Sequence, residues 1–142
     1  MNNPGEKRIL SIDFGTKRVG IAITDPLKMF AYPLVTINND IKFWDKFLQI
    51  LQEYDVDKIL LGYPLLKSGD KSKSTYLVEN FKNELSKKVK DIPIEFVDES
   101  YSSQKAMENI MESVPSKKKR KDKSLIDKNA ASVILQEYLN SF

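Results

Sequence analysis

With 142 residues and neither cysteine nor histidine, the chain has no disulfide, thiolate or imidazole chemistry and no Cys or His zinc site open to it. Its length suits one domain over residues 1–142 rather than two lobes, no apolar stretch reaches signal-peptide or membrane-span length, and the cytoplasm is the expected location. The net charge of +3 is concentrated: residues 117–123 hold six cations and one anion, leaving −2 for the rest, so any polyanion is expected to be gripped at one place. A solvated loop charged for solubility is the competing reading of that run.

Residues 7–14 form an apolar run interrupted by Asp13, and Gly15-Thr-Lys-Arg18 follows at once. The chain returns through the β-branched run from Val19 to Thr24, so the pair reads as a hairpin with Asp13 near its tip. A charge set among apolar residues calls for a cation, a metal or hydrogen-bond donors. The tip can present the acid together with the backbone N–H groups of Gly15 and Thr16 to a phosphate or metal; alternatively Asp13 only starts the turn.

A third strand is expected over Tyr32–Ile37, entered through Pro33. Trp44, Phe47, Leu48 and Leu51 make one apolar stripe of a helix over Ile41–Tyr54. Lys58–Gly62 is short and apolar, as in a strand covered on both faces, and a loop runs to Asp70. An amphipathic helix over Ser74–Lys90 stops before Pro93, and Ile94–Val97 is a further strand. Helices over Ser102–Met111 and Leu125–Leu139 flank the basic loop Pro115–Lys123. This order predicts an α/β fold with a mixed sheet and helices on both faces, and ligands gather at the carboxyl ends of strands in such sheets. Asp13, Gly62 and Asp98-Glu99 all fall there.

Strand alternation sends Asp98 and Glu99 to opposite sides, so one of them at most faces a site that includes Asp13, and alternation alone does not choose. Either acid also suits capping of the next helix. Asp127 shares a helical face with Ala130, Ala131, Ile134 and Tyr138, where the two alanines allow close approach to a sheet. Ser124 to Asp127 also fits a capping box, a local role for the same acid. Three carboxylates from two strands and a helix are the oxygen donors that Mg²⁺ or Mn²⁺ takes while leaving positions for phosphate oxygens.

The run from Ile12 to Pro26 (Ile-Asp-Phe-Gly-Thr-Lys-Arg-Val-Gly-Ile-Ala-Ile-Thr-Asp-Pro), Gly62-Tyr-Pro64 with Gly69, Val97-Asp-Glu99 and Ile126–Leu135 together resemble the YqgF family. It is also called RuvX, the pre-16S rRNA nucleases earlier described as Holliday-junction-resolvase-like. The resemblance implies a ribonuclease-H-like, five-stranded mixed sheet. It carries Asp13, Glu99 and Asp127 over as an acidic triad that is both catalytic and metal-ligating. Gly15, Thr16, Lys17 and Arg18 with Lys118, Lys119, Arg120 and Lys121 are the expected substrate contacts. One departure stands out: where the family has arginine after the glutamate, this chain has Ser100, which cannot clamp a phosphate with a charged fork.

The expected activity is metal-dependent cleavage of RNA phosphodiesters, endo- or exonucleolytic, at the 5′ end of the 16S rRNA precursor in ribosome biogenesis. Expected partners are rRNA precursor and ribosomal particles, with structured DNA as the alternative, no membrane, and a monomer or weak homodimer. The rivals are a non-catalytic RNA-binding assembly factor and a DNA junction resolvase, which needs two sites in a symmetric pair. Asp-x-Gly-Thr also resembles the phosphate hairpin of sugar kinases and actin-like ATPases, whose second lobe this chain is too short to supply.

Overall fold

The computed structural model describes residues 7–98 and 123–141, the backbone alone over 123–129. In chain order the elements are β1 (Arg8–Asp13), β2 (Arg18–Thr24), β3 (Ala31–Asn38), α1 (Phe43–Glu53), β4 (Val56–Tyr63), α2 (Lys73–Lys88), β5 (Ile94–Asp98) and α3 (Lys123–Asn140). They build a five-stranded mixed sheet in the order β3-β2-β1-β4-β5. The β1–β2 and β2–β3 pairs are antiparallel, while β1–β4 and β4–β5 are parallel. Both strands that precede crossover helices are thus read from the amino to the carboxyl end in the same sense as β1, and their carboxyl ends share one edge of the sheet.

Alternation along the strands divides the core in two. On one face Leu10, Ile12, Val19, Ile21, Ile59 and Leu61 meet the apolar stripes of α1 and α2, among them Phe43, Phe47, Val78, Phe81 and Leu85. Rings interlock there: Phe43 lies on Phe47 with centroids 5.7 Å apart, and Trp44 stacks on Phe81 at 5.4 Å. Burying each such ring contributes ~2–3 kcal/mol. On the other face Ile9, Ala22 and Leu60 pack against Ala131 and Leu135 of α3. The small Ala130 and Ala131, both fully buried, let α3 lie close to the sheet.

Three elements depart from the expected spans for identifiable reasons. β3 begins at Ala31, with Pro33 inside it. That is tolerated because β3 is an edge strand and its register with β2 shifts beside the proline, between Ile21 and Ala22. β4 begins two residues earlier, at Val56, because Asp57 and Lys58 do not break the strand: Asp57 accepts from Lys28 Nζ at 2.6 Å and Lys58 Nζ donates to the Tyr138 hydroxyl at 2.8 Å. Ser124 falls within α3 rather than before it, so it does not stand as an N-cap and the local capping-box role for Asp127 loses its geometry. The helix expected over Ser102–Met111 and the basic loop up to 122 lie outside the described residues. No helix among the described residues is long and apolar enough to cross a membrane.

Candidate metal and nucleic-acid site

Asp13 is the last residue of β1, opposite Gly20 of β2. Leu10 and Ile12 point to the α1–α2 core, whereas Ile9 packs with α3 and Ser11 Oγ donates to the Ala131 carbonyl at 2.6 Å. Alternation therefore puts Asp13, with Ile9 and Ser11, on the α3 face, where it is half-buried.

Three contacts set the direction of α3 across that face. Tyr138, near its carboxyl end, reaches Lys58 at the start of β4; Leu135 packs with Ile9; and Ala131 meets Ser11. The helix thus runs antiparallel to β1, with its amino-terminal part toward the end where Asp13 lies. From Ser11 to Asp13 a strand advances about 7 Å, and from Ala131 back to residue 127 a helix advances about 6 Å, so the two backbone positions stand at matching heights.

The neighbour of Glu99 is placed by the sheet. β5 pairs with β4 so that Asp98 lies opposite Tyr63. Ile94 and Phe96 belong to the α1–α2 core and Val97 to the α3 core, so Asp98 falls on the face away from Asp13. Glu99 itself and Lys118, Lys119, Arg120 and Lys121 lie outside the described residues, and of Asp127 only the backbone is described. Among the described residues no three acids come together as a metal-binding group, and Asp13 is the one expected ligand whose side chain is described.

The hairpin tip brings Gly15, Thr16, Lys17 and Arg18 beside Asp13, with Thr16 and Lys17 exposed and Arg18 opening β2. Glycine is required at 15 by space: an added Cβ would fall well inside 3.0 Å of the Arg18 carbonyl oxygen. Asn39 closes the tip from the β3–α1 loop, its side-chain amide donating to Gly15 O and its backbone N–H to Lys17 O, both at 2.9 Å. Phe14 anchors it below, its ring 4.7 Å from that of Phe81. Ser11, Phe14 and Asn39 are positioning residues that the sequence reading did not single out. A polar Ser11 inside an apolar strand was a signal; Asn39, in an ordinary Asn-Asn-Asp turn, left none.

At the same edge of the sheet the loop after β4 is tied to α2. Glu79 accepts from the Tyr63 hydroxyl at 2.8 Å and pairs with Lys71 Nζ at 2.9 Å. The Lys71 ammonium, and then the Tyr63 hydroxyl, hold the Glu79 carboxyl below its ordinary range, and the same bonds raise Lys71 and Tyr63.

Of the expected oxygen donors the described residues place one carboxylate, Asp13, at a strand end, with the backbone of the helix that carries Asp127 alongside; Mg²⁺ and Mn²⁺ take oxygen donors of this kind. A family model described as "RuvX: Holliday junction resolvase" matches residues 7–141. A Chlorobium phaeobacteroides protein named "Putative pre-16S rRNA nuclease" is 44% identical over 135 residues, 95% of this chain and 93% of its own length. A Phocaeicola vulgatus protein of the same name is 38% identical over 134 residues, 94% and 96% of the two chains. T. thermophilus RuvC in complex with a Holliday junction substrate superposes with a TM-score of 0.57 at 10% identity, covering 95% of this chain and 94% of that one. The Fowlpox virus resolvase in complex with Holliday junction DNA gives 0.53 at 20% identity, covering 94% and 97%. At these identities the likeness is one of fold, the ribonuclease-H-like sheet.

Proposed function

The chain belongs to the RuvX family, and from that premise we propose that it is a divalent-metal-dependent nuclease that cleaves RNA and processes the 16S rRNA precursor in the cytoplasm, as a monomer or weak homodimer. The observation that carries the reading is the convergence of Asp13, at the end of β1, with the amino-terminal part of α3 on one face of the sheet. The names borne by the Chlorobium and Phocaeicola relatives support the choice of RNA over DNA.

In this reading Asp13, Glu99 and Asp127 hold Mg²⁺ or Mn²⁺, which when bound supplies a Lewis acid and a water of lowered pKa. The protein's own part is placement. Asn39 and Phe14 fix the tip, so Asp13 keeps its position as substrate arrives. The backbone N–H groups of Gly15 and Thr16, with Lys17 and Arg18, steady phosphate oxygens at the same tip, and Glu99 orients the attacking water or completes the ligand set. Lys118, Lys119, Arg120 and Lys121 draw the polyanion in and set the salt dependence of binding.

One departure favours a rival: with Ser100 where the family has arginine, a factor that binds RNA without cutting it is the second reading. The deciding experiment titrates Mn²⁺ into wild type and Asp13→Asn, then incubates both with a structured 16S precursor and with a four-way DNA junction. The nuclease reading expects Mn²⁺-dependent scission of the precursor by wild type, and its loss in a folded Asp13→Asn. RNA binding without scission establishes the rival, and preferential cutting of the junction establishes a resolvase.

A further inference from the structure

The loop from Pro64 to Lys71 and the first turns of α2 carry a second group of cations in the sequence, besides those of the hairpin tip and of residues 117–123. Lys67, Lys71 and Lys73 stand there against Asp70 and Glu79, the latter paired with Lys71. The loop is held rigidly. Thr75 Oγ1 donates to the Pro64 carbonyl, Leu66 N–H donates to Asp70 O at 2.9 Å, and Leu65 bridges to Lys71 as a small antiparallel pair. Ser72 and Thr75 form a reciprocal capping box that fixes the start of α2.

On this support Tyr76 is 56% exposed, with Lys71 Nζ 5.6 Å from its ring centre. Core packing does not account for the ring, because Thr75 and Val78 are the neighbours that α2 buries. α2 joins the carboxyl end of β4 to the amino end of β5, whose first residue Ile94 pairs with Ile59. Its first turns therefore lie at the same end of the sheet as Asp13, on the face that α1 and α2 cover. A flat ring left in water on a rigid base with cations around it is how proteins hold unpaired nucleobases: every base has a π face to stack, and the cations take the adjoining phosphates. A base inside a duplex has both faces covered by its neighbours and offers none.

We propose that Tyr76 is a stacking platform for an unpaired base in a single-stranded RNA segment that passes the end of the sheet where Asp13 lies, with Lys67 and Lys73 contacting the flanking phosphates. The inference rests on the nuclease reading for the identity of the polymer. Lys71, bonded to Glu79, holds the ring in place.

The test is binding of a short single-stranded RNA carrying 2-aminopurine, followed by fluorescence in EDTA so that no cleavage intervenes. Wild type and Tyr76→Phe are expected to quench the probe on binding, whereas Tyr76→Ala binds about tenfold more weakly without quenching. A blunt duplex of the same sequence is expected to bind all three proteins equally. Unchanged affinity and quenching in Tyr76→Ala overturn the proposal, and so does an equal loss on the duplex. Mn²⁺-dependent cleavage by wild type, scored separately against Asp13→Asn, keeps the two ideas distinct. Stacking without cleavage removes the nuclease reading alone, and cleavage without stacking removes the platform alone.

Discussion

Gly15→Ala tests whether the hairpin tip is held as tightly as its geometry demands. The new methyl falls well inside 3.0 Å of the Arg18 carbonyl oxygen; the methyl is fixed by its Cα and the oxygen belongs to backbone, so neither can rotate away. Regaining ordinary contact at 3.4 Å means opening the tip by up to about an ångström. That movement breaks the two Asn39 hydrogen bonds to Gly15 O and Lys17 O, worth about 1 kcal/mol each, and adds overpacking strain of about 1–3 kcal/mol if the tip yields only in part. A net loss of about 3 kcal/mol over a chain of this length corresponds to a melting temperature about 10 °C lower. Displacement of Asp13 by a similar distance costs roughly 100-fold in turnover, since reacting groups tolerate little misplacement. Thermal melting followed by circular dichroism measures the first effect. Mn²⁺-dependent cleavage well below the transition measures the second. A variant that melts within a degree or two of wild type and cuts at the wild-type rate refutes the account of the tip.

Ser11→Ala removes the hydroxyl that ties β1 to the Ala131 carbonyl; a loss of about 1 kcal/mol, or about 3 °C, is expected, with cleavage lowered as α3 loosens against Asp13, both read by melting and single-turnover assays. Replacing Lys118, Lys119, Arg120 and Lys121 by serine is expected to flatten the slope of log affinity for RNA against log salt by up to about 3, measured by anisotropy across a salt series. Asp25 accepts backbone N–H groups from Phe30, Met29 and Leu27, which hold its pKa below the ordinary 3.8. The ionised form therefore favours the fold; its contribution is complete above that value and fades as pH falls through the lower folded value. The stability gap between wild type and Asp25→Asn is thus expected at pH 7 and should shrink in acid below the ordinary value, and a gap that stays constant across that range counts against the assignment.

The order of strands and helices was legible because periodicity is a local property: the stripe of Trp44, Phe47, Leu48 and Leu51 and the unbroken Ile-Leu-Leu of β4 report burial without knowledge of their partners. What was not legible depends on partners far away in sequence. Asp57 and Lys58 read as the polar margin of β4 until Lys28 and Tyr138 are seen to receive them. Pro33 reads as the start of a strand unless β3 is known to lie at the edge, where a missing N–H and a register shift are tolerated. At the candidate site Asp13 announced itself as an acid among apolar residues. Asn39 could not, because its role is to meet a carbonyl 24 positions earlier. Which face Asp98 takes needed one fact that a local pattern lacks, namely which core each face of β5 joins; Phe96 and Val97 supply it and exclude Asp98 from the face of Asp13.

The bond from Ser11 to Ala131 spans 120 positions and couples the strand that carries Asp13 to the last helix of the fold. Contacts of such separation form late, after the costly loop between them has closed. The sheet can therefore assemble while the carboxylate of Asp13 still lacks the helix beside it, and the candidate site is completed only when α3 docks.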